Sequence, residues 1–319
     1  MEELSEQFNA KHPVERQDAD KSDAVSEVLD AAPVESTSPP PPPRSEDLLL
    51  SAATHLQHSV EAILTELQLP AEHPAISHFD AAGEQLRQAW DAHGMVVIPA
   101  GKFLMGSGEE DKQAVASEKP ARLIHLDAFA IDILPVTVAQ YRAFCVATGH
   151  PMPAEPVWGW HDTHPIVNMS WYDADAYCTW TGKRLPTEAE WEKAARGADG
   201  RLYPWGEAWD PSRGHCLLDA AHEAGTVPVG SYPAGASPYG VLDMAGNVWE
   251  WCADWYDPYY NLWGPQHNPH GPEAGHTRVL RGGSWRCAVP GFLRCAYRNF
   301  TRGPATWYND RGFRCARSL

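Results

Sequence analysis

The chain has 319 residues, 43% of them hydrophobic, with a formal net charge of −17, 14 Trp and 25 Gly. That charge excludes a general nucleic-acid binder, whose affinity comes from neutralising phosphates with Lys and Arg. No window nears the run of about 18 apolar residues that a membrane span needs, and Met1-Glu2-Glu3-Leu4-Ser5-Glu6 has neither part of a signal peptide, so a soluble cytoplasmic protein is expected.

Residues 1–44 are rich in Glu, Asp, Ser, Ala and Pro, ending in the run Pro39 to Pro43. Such a segment buries too little apolar surface to offset the entropy of ordering it, so it reads as a disordered acidic tail with a polyproline spacer. A helical hairpin is expected over 45–94. Its first helix carries Leu49, Ala52, Leu56, Val60, Ile63 and Leu67 on one face, its second Ile76, Phe79, Leu86 and Trp90, and Gly94 stops it. Two helices make a poor core, so the apolar side needs the main domain, a partner or a second copy. His55 and His58 lie one turn apart with no third ligand nearby, which makes a solvated face the better reading.

The main domain spans 95–319. Met95 to Gly106 reads as two short apolar runs joined by Pro99-Ala100-Gly101, which predicts a β-hairpin, and Leu123 to Ile133 alternates as a strand. Thr137 caps a helix with Tyr141, Phe144 and Cys145 inward, ended by Gly149. Ser170-Trp-Tyr-Asp173 and Thr187-Glu-Ala-Glu190 are capping boxes that open two more helices, stopped by Gly182 and Gly197. Beyond Gly197 periodicity fades into a segment of aromatics, Gly and Pro. It is too apolar to be disordered, so packing, ions or hydrogen-bond networks must hold it.

Several segments carry a resemblance. They are Pro135 to Phe144, Lys183-Arg-Leu-Pro-Thr-Glu-Ala-Glu-Trp-Glu192, Tyr203-Pro-Trp-Gly206, Pro228 to Pro233, Tyr239-Gly-Val-Leu-Asp-Met-Ala-Gly-Asn-Val-Trp-Glu-Trp251, Arg278-Val-Leu-Arg-Gly-Gly-Ser-Trp285 and Gly312-Phe-Arg-Cys315. In that order they resemble the formylglycine-generating enzyme (sulfatase-modifying factor) superfamily, over roughly 70% of the chain. The resemblance implies a C-type-lectin-like α+β fold: a small twisted antiparallel sheet, two helices and long irregular loops. For chemistry it implies a copper-dependent, oxygen-using oxidoreductase that converts a cysteine of a substrate protein to formylglycine. Related sulfoxide synthases pair this domain with a three-histidine iron bundle, for which the 45–94 hairpin is too short.

The loop Asp243-Met-Ala-Gly-Asn-Val-Trp-Glu250 suits calcium, because carboxylates at both ends and carbonyls between supply the oxygens that ion requires. The resemblance implies Asp243 and Glu250 side chains and Gly246 and Val248 carbonyls as ligands. A second family calcium site falls near His215 to Asp219, where the oxygen ligands are not retained as a set. For copper, the resemblance implies two thiolates five positions apart after Gly-Gly-Ser. Cys287 occupies the first position, but Phe292 stands at the second. Cys295 corresponds to a structural cysteine whose partner position holds Ala195, and Cys178 and Cys315 match a disulfide pair of secreted relatives. In a reducing compartment that pair is expected as adjacent thiols. A two-thiolate copper site is therefore not expected, although Ser284 and Trp249, which line the family's active site, are present.

Residues 278–319 hold nine Arg and only Asp310 as an acid. In retroelement-type variable proteins, which share this fold, the segment after Gly-Gly-Ser-Trp is the diversified ligand-binding face. Arg286, Phe292, Phe300, Arg302, Trp307, Tyr308 and Asn309 are the candidates here, a composition typical of binding hot spots. Arg294, Arg298 and Arg314 are expected instead to pair with buried carboxylates. The favoured function is a non-catalytic ligand- or protein-binding module, and the alternative is an oxidoreductase with altered copper or iron ligation.

Overall fold

A computed structural model describes residues 94–219, 224–300 and 303–319. The tail and almost all of the hairpin expected before residue 95 lie outside the described residues, as does Arg302.

The first strands depart from the sequence reading. β1 (Met95–Ile98) and β2 (Gly101–Met105) do not pair with each other. β1 pairs with β4 (Phe129–Asp132), and β2 pairs with β3 (Arg122–Leu126). One antiparallel register runs from Met95↔Asp132 through Ile98↔Phe129 and Gly101↔Leu126 to Met105↔Arg122. Pro99-Ala100-Gly101 is thus a corner in one arm of a long bent ribbon, facing the corner Asp127-Ala128 in the other. Proline punctuates both reversals and bends, because its missing N–H interrupts a ladder in either case. The chain reverses instead across residues 106–121. β9 (Ala316–Ser318) then pairs with β4, which brings the end of the domain back to its beginning.

The three expected helices form where their caps place them: α1 (Val138–Thr148), α2 (Trp171–Trp180) and α3 (Glu188–Arg196). Each opens on a reciprocal capping box, Thr137 with Gln140, Ser170 with Asp173 and Thr187 with Glu190, so two orphan donors are satisfied at each entry. A four-residue turn of helix, α4 (Tyr260–Trp263), is an addition. The second sheet has the order β7-β6-β5-β8, with β5 (Trp249–Trp255) and β6 (Arg278–Arg281) central and β7 (Asn299–Phe300) and β8 (Arg311–Gly312) at the edges. β5 and β8 run parallel, so this sheet is mixed where the resemblance implied an antiparallel one.

Two large apolar clusters dominate the core of the described residues. One gathers Tyr141, Phe144, Tyr177, Trp251 and Phe313 and includes Trp249, Cys216 and Cys287. The other gathers Phe103, Phe129, Trp191 and Cys252 and includes Cys295 beside Ala195. Between and around them the irregular segments are pinned by buried ion pairs. Arg281 meets Glu192 at 2.5 Å, Arg294 meets Glu118 at 2.6 Å, and Arg298 and Arg314 meet Glu188 and Glu250 at 2.7 Å. Arg294, Arg298 and Arg314 therefore behave as expected. Such pairs add little net stability over an apolar packing of the same volume, but each guanidinium accepts only one arrangement of its neighbours.

Candidate functional site

The Gly-Gly-Ser turn after β6 and the start of β5 bring the candidate catalytic residues together. The Ser284 N–H donates to Cys287 Sγ at 3.3 Å, and the Cys287 N–H donates to the Ser284 carbonyl at 3.0 Å. Ser284 Oγ lies 3.4 Å from Asp310 Oδ2 and accepts the Arg286 N–H at 3.3 Å, while the Trp249 N–H donates to the Asp310 carbonyl at 2.8 Å. Cys287 is buried, and desolvation pushes its thiol up to about 12, so without a metal it rests as the thiol at neutral pH.

Two neighbours escaped the sequence reading. Tyr297 lies between Trp249 and Phe292, with ring centroids at 6.0 and 5.0 Å, and burial pushes its phenol up to about 12. The Leu217 N–H donates to the Cys287 carbonyl at 3.1 Å, which seats the buried Cys216 in the same cluster. Cys295 packs in the other cluster, with its N–H on the Leu202 carbonyl. Cys178 and Cys315 are buried free thiols with sulfurs 3.2 Å apart. The family's copper pair thus does not fit this chain: one position is Phe292, and the next thiol along the chain faces a different core.

The proposed calcium loop has a mixed aspect. Asp243 (φ 58°) and Asn247 (φ 61°) sit in the left-handed region on either side of Gly246 (φ 103°). A Cβ on Gly246 would meet the His215 carbonyl oxygen at 2.4 Å, so only glycine fits there. Asp243 Oδ2 accepts the Gly230 N–H at 2.9 Å, and burial raises its carboxyl above the usual range, a state that a cation would relieve. Glu250, however, already serves Arg314 with both oxygens at 2.7 Å, and its Oε2 also accepts the Trp191 indole N–H at 2.7 Å. Two lone pairs per oxygen leave Oε1 able to serve a metal as well. In the second calcium region His215 Nε2 lies 2.9 Å from the Gly225 carbonyl, and Asp219 Oδ2 accepts the Tyr232 hydroxyl at 2.5 Å.

The candidate binding residues divide by exposure. Phe300 and Trp307 are about half exposed, and Phe300 stacks on Tyr256 at 4.5 Å. Arg286 lies over Trp285 at 5.5 Å, and Phe292 rests against the core on Tyr297. Tyr308 is half-buried under the Arg311 guanidinium at 3.8 Å, and the Asn309 carbonyl accepts the Trp285 indole N–H at 3.2 Å.

The arrangement has known counterparts. Residues 79–319 match the family model of the sulfatase-modifying factor enzyme 1-like domain. A formylglycine-generating enzyme of Streptomyces coelicolor is 37% identical over 282 residues, covering 70% of this chain and 88% of its own length. The "Inactive C-alpha-formylglycine-generating enzyme 2" of Mus musculus is 34% identical, covering 73% of this chain and 88% of its own. A serine/threonine-protein kinase pkn1 of Chlamydia caviae is 39% identical over 250 residues, but the chain spans only 38% of that relative's length. Among solved structures, PvdO from Pseudomonas aeruginosa superposes with a TM-score of 0.62 at 30% identity, covering 70% of this chain and 94% of that one. Treponema denticola variable protein 1 superposes with a TM-score of 0.60 at 23% identity, covering 70% and 95%, a likeness of fold. With its helices, its Gly-Gly-Ser turn and its Arg314–Glu250 clasp in the matched stretch, the chain belongs to the formylglycine-generating enzyme (sulfatase-modifying factor) family and has its C-type-lectin-like fold.

Proposed function

We propose that this domain is a non-catalytic member of the family that binds a protein or another ligand through the face built from residues 286–311. The observation that carries the reading is Phe292 at the position where the resemblance implies a second thiolate, with Cys287 itself buried. The name of the murine relative supports it, since the family then includes members without the activity. Phe300 and Trp307 present large rigid contact areas at low entropic cost, and Arg286 over Trp285 is a further polar candidate. The likeness to a variable protein extends to fold alone, so diversification of this face forms no part of the proposal. No helix of the described residues is long and apolar enough to cross a membrane. A reducing compartment is supported by seven free thiols and by the missing partner of Cys295.

Cys216 favours the second reading, an oxygen-dependent oxidoreductase with altered ligation, because it puts another thiol beside Cys287. Copper(I) titration of the reduced chain separates the two. The binding-module reading expects no tight one-to-one complex and no oxygen uptake with a thiol peptide. A tight complex lost in both Cys287→Ser and Cys216→Ser would establish the second reading instead.

We also propose that the Asp243–Glu250 loop takes calcium. Removing Glu250 is a poor test, because it strips Arg314 of its counter-charge whether or not an ion binds. Asp243→Asn is the cleaner change. Millimolar calcium is expected to raise the melting temperature of the wild-type chain but not of Asp243→Asn; identical curves with calcium and with chelator would refute the site.

A further inference from the structure

A second group of metal-ligating side chains lies outside everything the family's chemistry uses. His125 is on β3, Asp127 follows that strand at the ribbon's corner, and His267 comes from the loop after α4. Ile124 and Leu126 point into the core, so strand alternation turns His125 and Asp127 outward on one face. The loop is stitched alongside: the His125 N–H donates to the Gln266 carbonyl at 2.8 Å, and the Asn268 N–H donates to the His125 carbonyl at 2.9 Å. His267 is thereby held opposite His125, with the rings stacked at 4.7 Å and 14°.

Both imidazole Nε2 atoms lie 3.8 Å from the same oxygen, Asp127 Oδ1, and the three donor atoms all fall within 4.8 Å of one another. The other carboxylate oxygen is occupied: Asp127 Oδ2 accepts the Asn268 amide Nδ2–H at 2.7 Å, while Asn268 Oδ1 accepts the Asp127 N–H at 2.9 Å. One side chain thus fixes the carboxylate so that its free oxygen faces both rings. This is the outer-shell device by which metal sites orient a ligand.

We propose that His125, Asp127 and His267 form a binding site for a divalent transition-metal ion of the zinc class. Two imidazoles and one carboxylate oxygen are the donors that such ions select over magnesium or calcium, which prefer all-oxygen sets. Metal–ligand bonds of about 2.0–2.2 Å in tetrahedral geometry place donors roughly 3.3 Å apart, so an ion must draw each imidazole nitrogen about half an ångström closer to the carboxylate oxygen and turn the stacked rings until all three donors, now within 4.8 Å, reach that spacing. The side chains are exposed by 34% (His125), 69% (Asp127) and 64% (His267), which gives an ion free access and leaves a fourth position for water or an outside donor. Lys102 pairs opposite His125 across the ribbon; it is exposed, and its flexible stem lets the ammonium turn to water. Asp127 and Asn268 also line a cleft of about 240 Å³ that runs to Arg184, Glu190 and Ser318. A bound ion ties the loop after α4 to the ribbon corner at the edge of that cleft.

The test is a titration of the full-length, metal-free chain with Zn²⁺ by calorimetry and with Co²⁺ by its visible ligand-field bands, at neutral pH. The chain has 15 His, so binding alone does not locate an ion, and the double variant His125→Gln/His267→Gln is titrated in parallel. One equivalent is expected in the wild type, weakened at least tenfold in the double variant and in Asp127→Asn. The variants alter exposed side chains, so their metal-free melting temperatures should match the wild type. Absence of saturable binding, or one-equivalent binding that survives the double variant, overturns the proposal.

Discussion

Arg314→Ala is expected to lower the melting temperature by roughly 10 °C or more, the largest effect of any single substitution considered for this domain. Arg314 is fully buried and uses all five of its donor positions. Nε and Nη2 hold the two oxygens of Glu250 at 2.7 Å, Nη1 reaches the carbonyls of Asp132 and Ile133 at 3.0 and 2.9 Å, and Nη2 reaches Leu242 at 2.8 Å. Alanine would leave Glu250 buried with only the Trp191 indole as donor and would strip the Asp132 and Leu242 carbonyls of this guanidinium, while the Ile133 carbonyl would keep the Leu242 N–H. Breaking a buried pair this way costs about 3–5 kcal/mol, and a domain of this size loses about 2–4 °C per kcal/mol. Arg142→Ala is the control, since its pair with Asp162 is exposed and should change stability by under about 1 kcal/mol. If the two variants melt within a few degrees of each other, the buried clasps are not what organises the loops.

Alkaline pH should weaken the domain through its buried thiols. Desolvation raises Cys287 and Cys295 from an ordinary value of 9.0 to about 12 in the fold. In the unfolded chain both ionise near 9, so below that pH their contribution is fully present. It is lost as pH rises from 9 towards 12, where the unfolded state holds fewer protons than the native one. At pH 10.5 the loss is about 2 kcal/mol per thiol, roughly 4 kcal/mol for the two. Tyr297, also raised to about 12, acts in the same direction at higher pH. Lys193, lowered to about 8 by desolvation, acts in the opposite direction between pH 8 and 10.5. The informative quantity is therefore the difference between the wild type and Cys287→Ala/Cys295→Ala in urea unfolding. The wild type should lose roughly 4 kcal/mol more than the variant between pH 8 and 10.5. Parallel pH profiles would mean that these thiols are better solvated than their burial implies.

The local signals in the sequence were reliable wherever one residue and its near neighbours settle the outcome. Thr137, Ser170 and Thr187 announced three helices because a cap is a contact between positions three apart. Phe292 marks where the resemblance implies a second thiolate, and that reading rests on spacing along one segment alone. Pro99-Ala100-Gly101 misled because a proline and a glycine mark an interruption of the ladder, and only the partner strand decides whether the chain reverses or bends. The spacing of Asp243 and Glu250 suggested an ion loop, and Arg314 was expected on a buried carboxylate, but only the fold makes Glu250, 64 residues away, that carboxylate.

The missing part of the sequence reading is the long-range part. His125, on a strand, and Asp127, just past its end, share a face by local rule, and that much was there to be read. Their partner His267 is more than 140 residues further on and arrives only because its loop pairs with β3. Cys216 joins the Cys287 cluster because its neighbour Leu217 donates a backbone hydrogen bond to the Cys287 carbonyl, some 70 residues away. What the sequence determined by itself was the family and the helices, since each rests on short-range pattern. The tertiary structure alone decided which charges are neutralised, which thiols share a core and which imidazoles face one carboxylate, because burial and donor geometry arise only when distant segments pack.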